Sequence, residues 1–188
     1  LNDKVFAEVN EEKRNNIKIN HSATHLLHAS LIKYIGNDVQ QKGSLVSDTK
    51  LRFDFSCHKP IKRNILNKIE SEVNSNIERN ILSETRLMPK DKAIEAGAVA
   101  LFGEKYDDEV RVLSFGDVST ELCGGTHVNS TGDIGIFKIL SESSISTGIR
   151  RIEAITGMSA NSYLTKRDEL MTDICQTLNI QDEELKEK

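Results

Sequence analysis

Two pairs of metal-ligand side chains, far apart along the chain, constrain its fold most. His21 and His25 are four residues apart in a stretch where Ala23, Leu26, Leu27, Leu31 and Ile35 recur at helical spacing. Residues four apart on a helix share a face one turn from each other, so both imidazoles can reach one ion. Cys123 and His127 are also four apart, in Cys123-Gly124-Gly125-Thr126-His127. Two glycines there let the backbone curl until both ligands face one point. A helical histidine pair alone is more often solvated or satisfied in a core than metal-bound. Two such pairs in one small domain favour a shared metal, and three imidazoles with one thiolate suit Zn²⁺. His28 lies on the face of His25 at a spacing of three, and spacing does not choose among the three helix histidines. His58, beside Cys57 at a strand end, reads as a solvated surface residue.

A chain of 188 residues suits one sizeable domain, or one domain with an appendage. The net charge of -4 argues against a strongly basic nucleic-acid binder but leaves room for a local basic stripe. No apolar run nears the roughly 18 residues of a membrane span. The charged N-terminus lacks a signal-peptide pattern. A cytoplasmic location without a membrane or DNA partner is therefore expected. Three scattered cysteines, Cys57, Cys123 and Cys175, suit a reducing compartment better than a disulfide framework. The first residue is Leu1 rather than Met, and a piece excised from a larger protein is expected.

Along the chain, Val5 to Val9 alternates weakly, as a strand would. Asn20-His21-Ser22 offers N-cap chemistry for the first helix, and Gly36 a stop. Leu51, Phe53 and Phe55 alternate with Arg52 and Asp54 after a turn at Ser47-Asp48-Thr49. Pro60 opens a long amphipathic helix with Ile61, Ile65, Ile69, Val73 and Ile77 on one face. Leu82 to Met88 reads as a strand, Lys92 to Ala100 as a short helix, and Glu109 to Phe115 as a strand. A polar loop then runs to His127. Ile134 to Leu140 and Ile149 to Ile155 read as strands, Gly157 as a break, and Ala160 to Lys188 as a polar helix. The irregular alternation predicts an α+β fold, a mainly antiparallel sheet packed with helices.

His21-Ser22-Ala23-Thr24-His25 resembles the first zinc-ligand motif of alanyl-tRNA synthetase editing domains. Glu121-Leu122-Cys123-Gly124-Gly125-Thr126-His127 resembles the second, more specific one. Gln41-Lys42-Gly43-Ser44, Arg52-Phe53-Asp54-Phe55, Gly97-Ala98 with Leu101-Phe102-Gly103-Glu104-Lys105-Tyr106, and Gly148-Ile149-Arg150-Arg151-Ile152-Glu153-Ala154 agree in order and spacing. The likeness runs from about Asn20 to Gly157. It implies the editing-domain fold shared with threonyl-tRNA synthetases and freestanding alanyl-editing proteins. It implies zinc held by His21, His25, Cys123 and His127, which leaves His28 outside the set, and a pocket glutamine at Gln41. The editing domain would span 1–157. A helical extension over 158–188 would lead toward the C-terminal domain. ATP chemistry would belong to an aminoacylation domain that this chain lacks.

The implied reaction is hydrolysis of the ester that joins serine or glycine to tRNA(Ala). A pocket sized for a methyl group rejects a smaller or hydroxylated side chain only weakly, so a second, hydrolytic site is needed. Gln41 would hold water or ribose, Thr24 the serine hydroxyl, and the Gly124-Gly125 backbone the oxyanion. Lys42, Lys50, Arg52, Arg150 and Arg151 are candidate contacts for the tRNA acceptor end, although ordinary sheet-edge ion pairing is the commoner fate of each. Partners would be tRNA(Ala) and the rest of the synthetase in cis. Four protein ligands suggest an organising zinc, whereas an open position suggests a catalytic one, and both readings stay open. Competing readings are an editing protein acting in trans and a zinc-stabilised tRNA-binding module without hydrolysis. An unrelated metallohydrolase would lack the helical glutamate that zinc proteases place between paired histidines.

Overall fold

The first helix begins well before its expected cap. In the computed structural model, which describes residues 4–100, 106–181 and 184, helix α1 spans Glu11–Ile35. Asn10 caps it, its side chain accepting from the Lys13 N–H at 2.8 Å, and Glu11 and Glu12 complement the positive end of the helix. Asn20-His21-Ser22 is therefore mid-helix, since nothing between Glu11 and Lys18 breaks a helix. Gly36, at φ 134, ends it. From Asn20 to Leu31, apolar and polar residues alike are buried, so this half of α1 is enclosed by other elements on several sides. The caps expected at Asn20 and Ser22 are spent on tertiary bonds. Asn20 Nδ2 donates to the Ser47 carbonyl at 2.9 Å, and Thr156 Oγ1 donates to Asn20 Oδ1 at 2.6 Å.

One wall of that enclosure is an antiparallel sheet. Strands β1 (Gln41–Val46) and β2 (Leu51–Ser56) form a hairpin closed by the Ser47 N–H on the Lys50 carbonyl. Leu51, Phe53 and Phe55 are fully buried, as their alternation requires. Strand β3 spans Ser83–Pro89, β4 Glu109–Phe115, β5 Ser119–Leu122, β6 Phe137–Ser146 and β7 Ile149–Thr156. The first sheet has the order β1-β2-β7-β6, and β3-β4-β5 form a second. All these pairings are antiparallel. Helix α2, Arg63–Glu78, buries Leu66, Ile69, Val73 and Ile77. Its Asn74 side chain bonds both the N–H and the carbonyl of Phe137 at 2.9 Å, which fixes the start of β6. Helix α1 contacts β1, β2 and β7 of one sheet and β5 of the other, and so sits where the two sheets face a common core.

Several expectations need correcting. Val5 to Val9 is exposed and forms no strand, and no strand among the described residues pairs with it. The short helix, α3, is Lys90–Glu95 rather than Lys92 to Ala100. Gly97 at φ 86 ends that turn, and Val99 then pairs with Glu121 in an isolated parallel bridge. The loop toward His127 contains β5. The strand expected from Ile134 starts at Phe137, because Thr131–Ile134 is a 3-10 turn with a reciprocal Ser130–Asp133 cap. Helix α4, Gly157–Leu178, starts earlier than Ala160 and ends at Asn179, which is left-handed at φ 54. Pro60 opens no helix directly, since Lys62 is the cap of α2. The motif residues 101–105, and the tail residues 182, 183 and 185–188, lie outside the described residues.

Candidate metal centre

The enclosed half of α1 presents His21 and His25 to the loop that leaves β5. One ligand atom from each of His21, His25, Cys123 and His127 lies within 4.8 Å of the others. His25 Nε2 is 3.2 Å from His127 Nε2, Cys123 Sγ is 3.4 Å from His127 Nε2, and Cys123 Sγ is 3.6 Å from His21 Nε2. Zn–N near 2.0 Å and Zn–S near 2.3 Å in a tetrahedron give N···N and S···N edges of about 3.3 and 3.5 Å. These three separations lie near those edges, and the donor set can hold a metal.

Elements on both sides fix the loop. Arg111 on β4 donates from Nη1 to the carbonyls of Cys123 and Gly125, each at 2.8 Å. On the α1 side, the Val128 N–H donates to Ser22 Oγ at 3.1 Å. The glycines act differently from the expected curl, since neither Gly124 nor Gly125 has a left-handed φ. A Cβ on Gly125 would lie 2.1 Å from His21 Cε1, whereas one on Gly124 would meet nothing within 4 Å. Gly125 is thus needed for the close approach of the His21 ring.

Behind the cluster lies Glu121, which stands in the sequence only as the first residue of the second motif. It is 4% exposed. Its Oε2 is 2.9 Å from His25 Nδ1, its Oε1 is 3.2 Å from His28 Nδ1, and Ser119 Oγ donates to Oε1 at 2.9 Å. A carboxylate at Nδ1 sets the tautomer that leaves Nε2 for a metal. Its signal was β-strand parity: Ser119, Glu121 and Cys123 alternate toward one side. Arg111 had no such signal. His28 is buried against Glu121 and Phe53 and stands outside the four-ligand group.

Protonation follows from this packing. Burial opposes the Cys123 thiolate, but the His127, His21 and His25 rings bring its pKa down to about 3. Burial opposes the His25 cation, but the Glu121 carboxylate and the Cys123 sulfur push it up to about 10. Glu121, though buried, is lowered by His25 and His28, and burial lowers His127. A thiolate and a neutral His127 are the forms a metal takes, and binding would displace a proton from His25.

His21, His25 and Cys123 of the cluster line a cleft of about 250 Å³ together with Thr24, Gln41, Gly124 and Gly125. Thr24 Oγ1 donates to the Asn20 carbonyl at 2.9 Å, which leaves its lone pairs to accept. The Gly125 N–H is directed to Cys123 Sγ at 3.5 Å. The candidate cations are not brought into this cleft. Arg151 makes two 2.7 Å bonds to Asp54, Arg150 pairs twice with Glu142, and Lys50 pairs with Glu153 at 2.8 Å. Lys42 Nζ donates to Gln40, and Arg52 Nε lies 3.8 Å from Asp54. Cys57 Sγ donates to the Lys59 carbonyl, and Cys175 is buried on α4.

Residues 110–153 match the family described as the threonyl and alanyl tRNA synthetase second additional domain. That stretch holds Arg111, Glu121, Cys123 and His127 but neither His21 nor His25. The whole chain is 51% identical to an alanine–tRNA ligase of Idiomarina loihiensis, and it spans 22% of that protein's length.

Proposed function

We propose, from the premise that this chain is related over its whole length to alanine–tRNA ligases, that its metal centre is a hydrolytic editing site. Its substrates would be serine or glycine esterified to tRNA(Ala), with zinc as the metal. The observation that carries this reading is the convergence of His21, His25, Cys123 and His127, with ligand atoms within 4.8 Å of one another, beside a cleft that Gln41 and Thr24 line. When bound, zinc would supply Lewis-acid character. The Thr24 hydroxyl, held by the Asn20 carbonyl, accepts the hydroxyl hydrogen of a seryl group. Gln41, at the first position of β1, orients the attacking water or the ribose through its side-chain amide. The Gly125 N–H is engaged by the Cys123 sulfur, so the Gly124 N–H is the better candidate to stabilise the oxyanion. The acceptor end of the tRNA and the rest of a synthetase in cis are the partners of this reading, in the cytoplasm. ATP-dependent aminoacylation would belong to other parts of such an enzyme.

The test is hydrolysis of Ser-tRNA(Ala), Gly-tRNA(Ala) and Ala-tRNA(Ala) by zinc-loaded chain, beside Cys123→Ala. Release of serine or glycine with alanine spared, and loss of release in the variant, supports the assignment. Folded, zinc-loaded protein that leaves all three esters intact would refute it in favour of a binding module.

A further inference from the structure

The third histidine of α1 is left unused by the four-ligand group. His28 is 2% exposed, and its ring packs on Phe53 with centroids 5.3 Å apart. Its Nε2 is buried with no hydrogen-bond partner among the described residues. A buried nitrogen without a partner costs stability, and a leucine or phenylalanine would fill the same place without that cost. What a histidine adds here is therefore its other nitrogen.

His28 Nδ1 lies 3.2 Å from Glu121 Oε1. An ionised carboxylate only accepts, so Nδ1 carries the proton and donates. Ser119 Oγ donates to the same oxygen at 2.9 Å. His25 Nδ1 meets the other oxygen, Oε2, at 2.9 Å as an ion-pair contact rather than an oriented hydrogen bond. The placement of the carboxylate is thus set by the two groups that do bond it. Ser119 belongs to β5, the strand of Glu121 itself, and cannot tie the carboxylate to another element. His28 ties it to α1, one turn from His25. The last torsion of a glutamate side chain is otherwise broad. With Oε1 held by His28, Oε2 stays facing His25.

We propose that His28 is a positioning residue of the metal centre: by donating to Glu121 it holds that carboxylate on His25 Nδ1, and so keeps His25 Nε2 turned toward His21, Cys123 and His127. This rests on the metal-centre part of the reading above, and is independent of which ester is hydrolysed. His28 acts through Glu121 and His25 and touches neither the metal position nor a substrate. Supports at this remove from a metal change its affinity about 10-fold to 100-fold. The effect on folding is different in kind. Removing His28 takes away one hydrogen bond to a carboxylate and also one orphaned buried nitrogen, and the two changes oppose each other.

The experiment compares the whole chain with His28→Leu and His28→Asn. Leucine removes both nitrogens. Asparagine puts an N–H donor where Nδ1 stood and nothing where Nε2 stood. Zinc affinity is read by chelator competition, ligand orientation by the visible spectrum of the Co²⁺-loaded chain, and folding by the urea midpoint of the metal-free chain. His28→Leu should lose zinc affinity about 10-fold or more and shift the Co²⁺ bands, with its metal-free midpoint close to that of the wild type. His28→Asn should recover most of the affinity and the wild-type bands. Unchanged affinity and bands in His28→Leu, or equal losses in the two variants, overturn the proposal. So does a loss of affinity that comes with a matching fall in the metal-free midpoint, because His28 would then only support the fold. If the wild type binds zinc tightly while any of these results appears, the role of His28 fails and the metal centre stands. If the wild type binds neither metal, the metal centre fails and the role of His28 with it.

Discussion

The packing of Gly125 against His21 separates two neighbouring glycines that look alike in the sequence. Gly125→Ala would push a Cβ to within 2.1 Å of a His21 ring carbon, so the ring must leave the cluster or the loop must shift. Zinc affinity is expected to fall at least about 100-fold, as for loss of a metal ligand or of its support. Gly124→Ala, with nothing within 4 Å, should bind zinc like the wild type. Competition with a chromogenic chelator reads both, and equal losses in the two variants would contradict the packing argument. The same residues set a pH signature for the chelator-treated chain. Cys123 ionises near 3 folded against 9.0 unfolded, so the unfolded chain holds the extra proton between those values, and stability rises with pH there. His25 ionises near 10 folded against 6.5 unfolded, so the folded chain holds the extra proton between those values, and stability falls with pH there. The lowered carboxylates add slope only below about 4.5. The urea midpoint should therefore climb from pH 4.5 to 6.5, level off to 9 and fall beyond. His127, lowered by burial, adds to the climb below 6.5, so Cys123→Ala should make the climb shallower, and a wild-type midpoint that already falls between 4.5 and 6.5 would refute the assignment.

At the level of elements, the ligand loop depends on β4 as much as on its own sequence. Arg111 spans from that strand to two loop carbonyls, and its Nη2 reaches Thr85 on β3 at 3.3 Å. Arg111→Met keeps the length and apolar stem of the side chain but frees both carbonyls. It is expected to weaken zinc binding by about 10-fold to 100-fold while far-UV circular dichroism stays unchanged. Unaltered zinc affinity would mean that Ser22 and the chain itself suffice to hold the loop. This element also shows what the sequence made legible. The ligand pairs, the alternation of Leu51, Phe53 and Phe55, and the periodicity of α2 are local patterns, and each needed only a few neighbouring residues to be read. Arg111 and His28 act through residues distant in sequence, and no local pattern marks them. The strand β5 was hidden because four residues carry too little period-two signal, and Glu121 within it was hidden with the strand. The early start of α1 was missed because Asn20 and Ser22 look like caps, whereas burial commits their side chains to Ser47, Thr156 and Val128.

On the scale of the whole molecule, charge pairing limits how the proposed tRNA substrate would be held. The net charge is -4, and the cations nearest the pocket motifs face carboxylates across the sheet: Arg151 on Asp54, Arg150 on Glu142 and Lys50 on Glu153. A phosphate that recruits Arg151 would leave Asp54, which is 6% exposed, with only the longer 3.8 Å pairing to Arg52, and a buried carboxylate is expensive to leave so weakly paired. Few phosphates can then be neutralised without breaking the sheet's own pairs. For a single-stranded acceptor end, each neutralised phosphate contributes about -0.7 to the slope of log affinity against log salt. Two phosphates or fewer give a slope no steeper than about -1.4. The rate of Ser-tRNA(Ala) hydrolysis at subsaturating chain, followed from low to moderate salt, should show that shallow dependence. Arg151→Ala should lower the melting temperature while leaving the slope nearly the same, because the residue's charge is spent on Asp54. A steep wild-type slope that flattens in Arg151→Ala would show instead that the pair opens for RNA, and that the β2–β7 face is a phosphate-binding surface held closed by its own carboxylates.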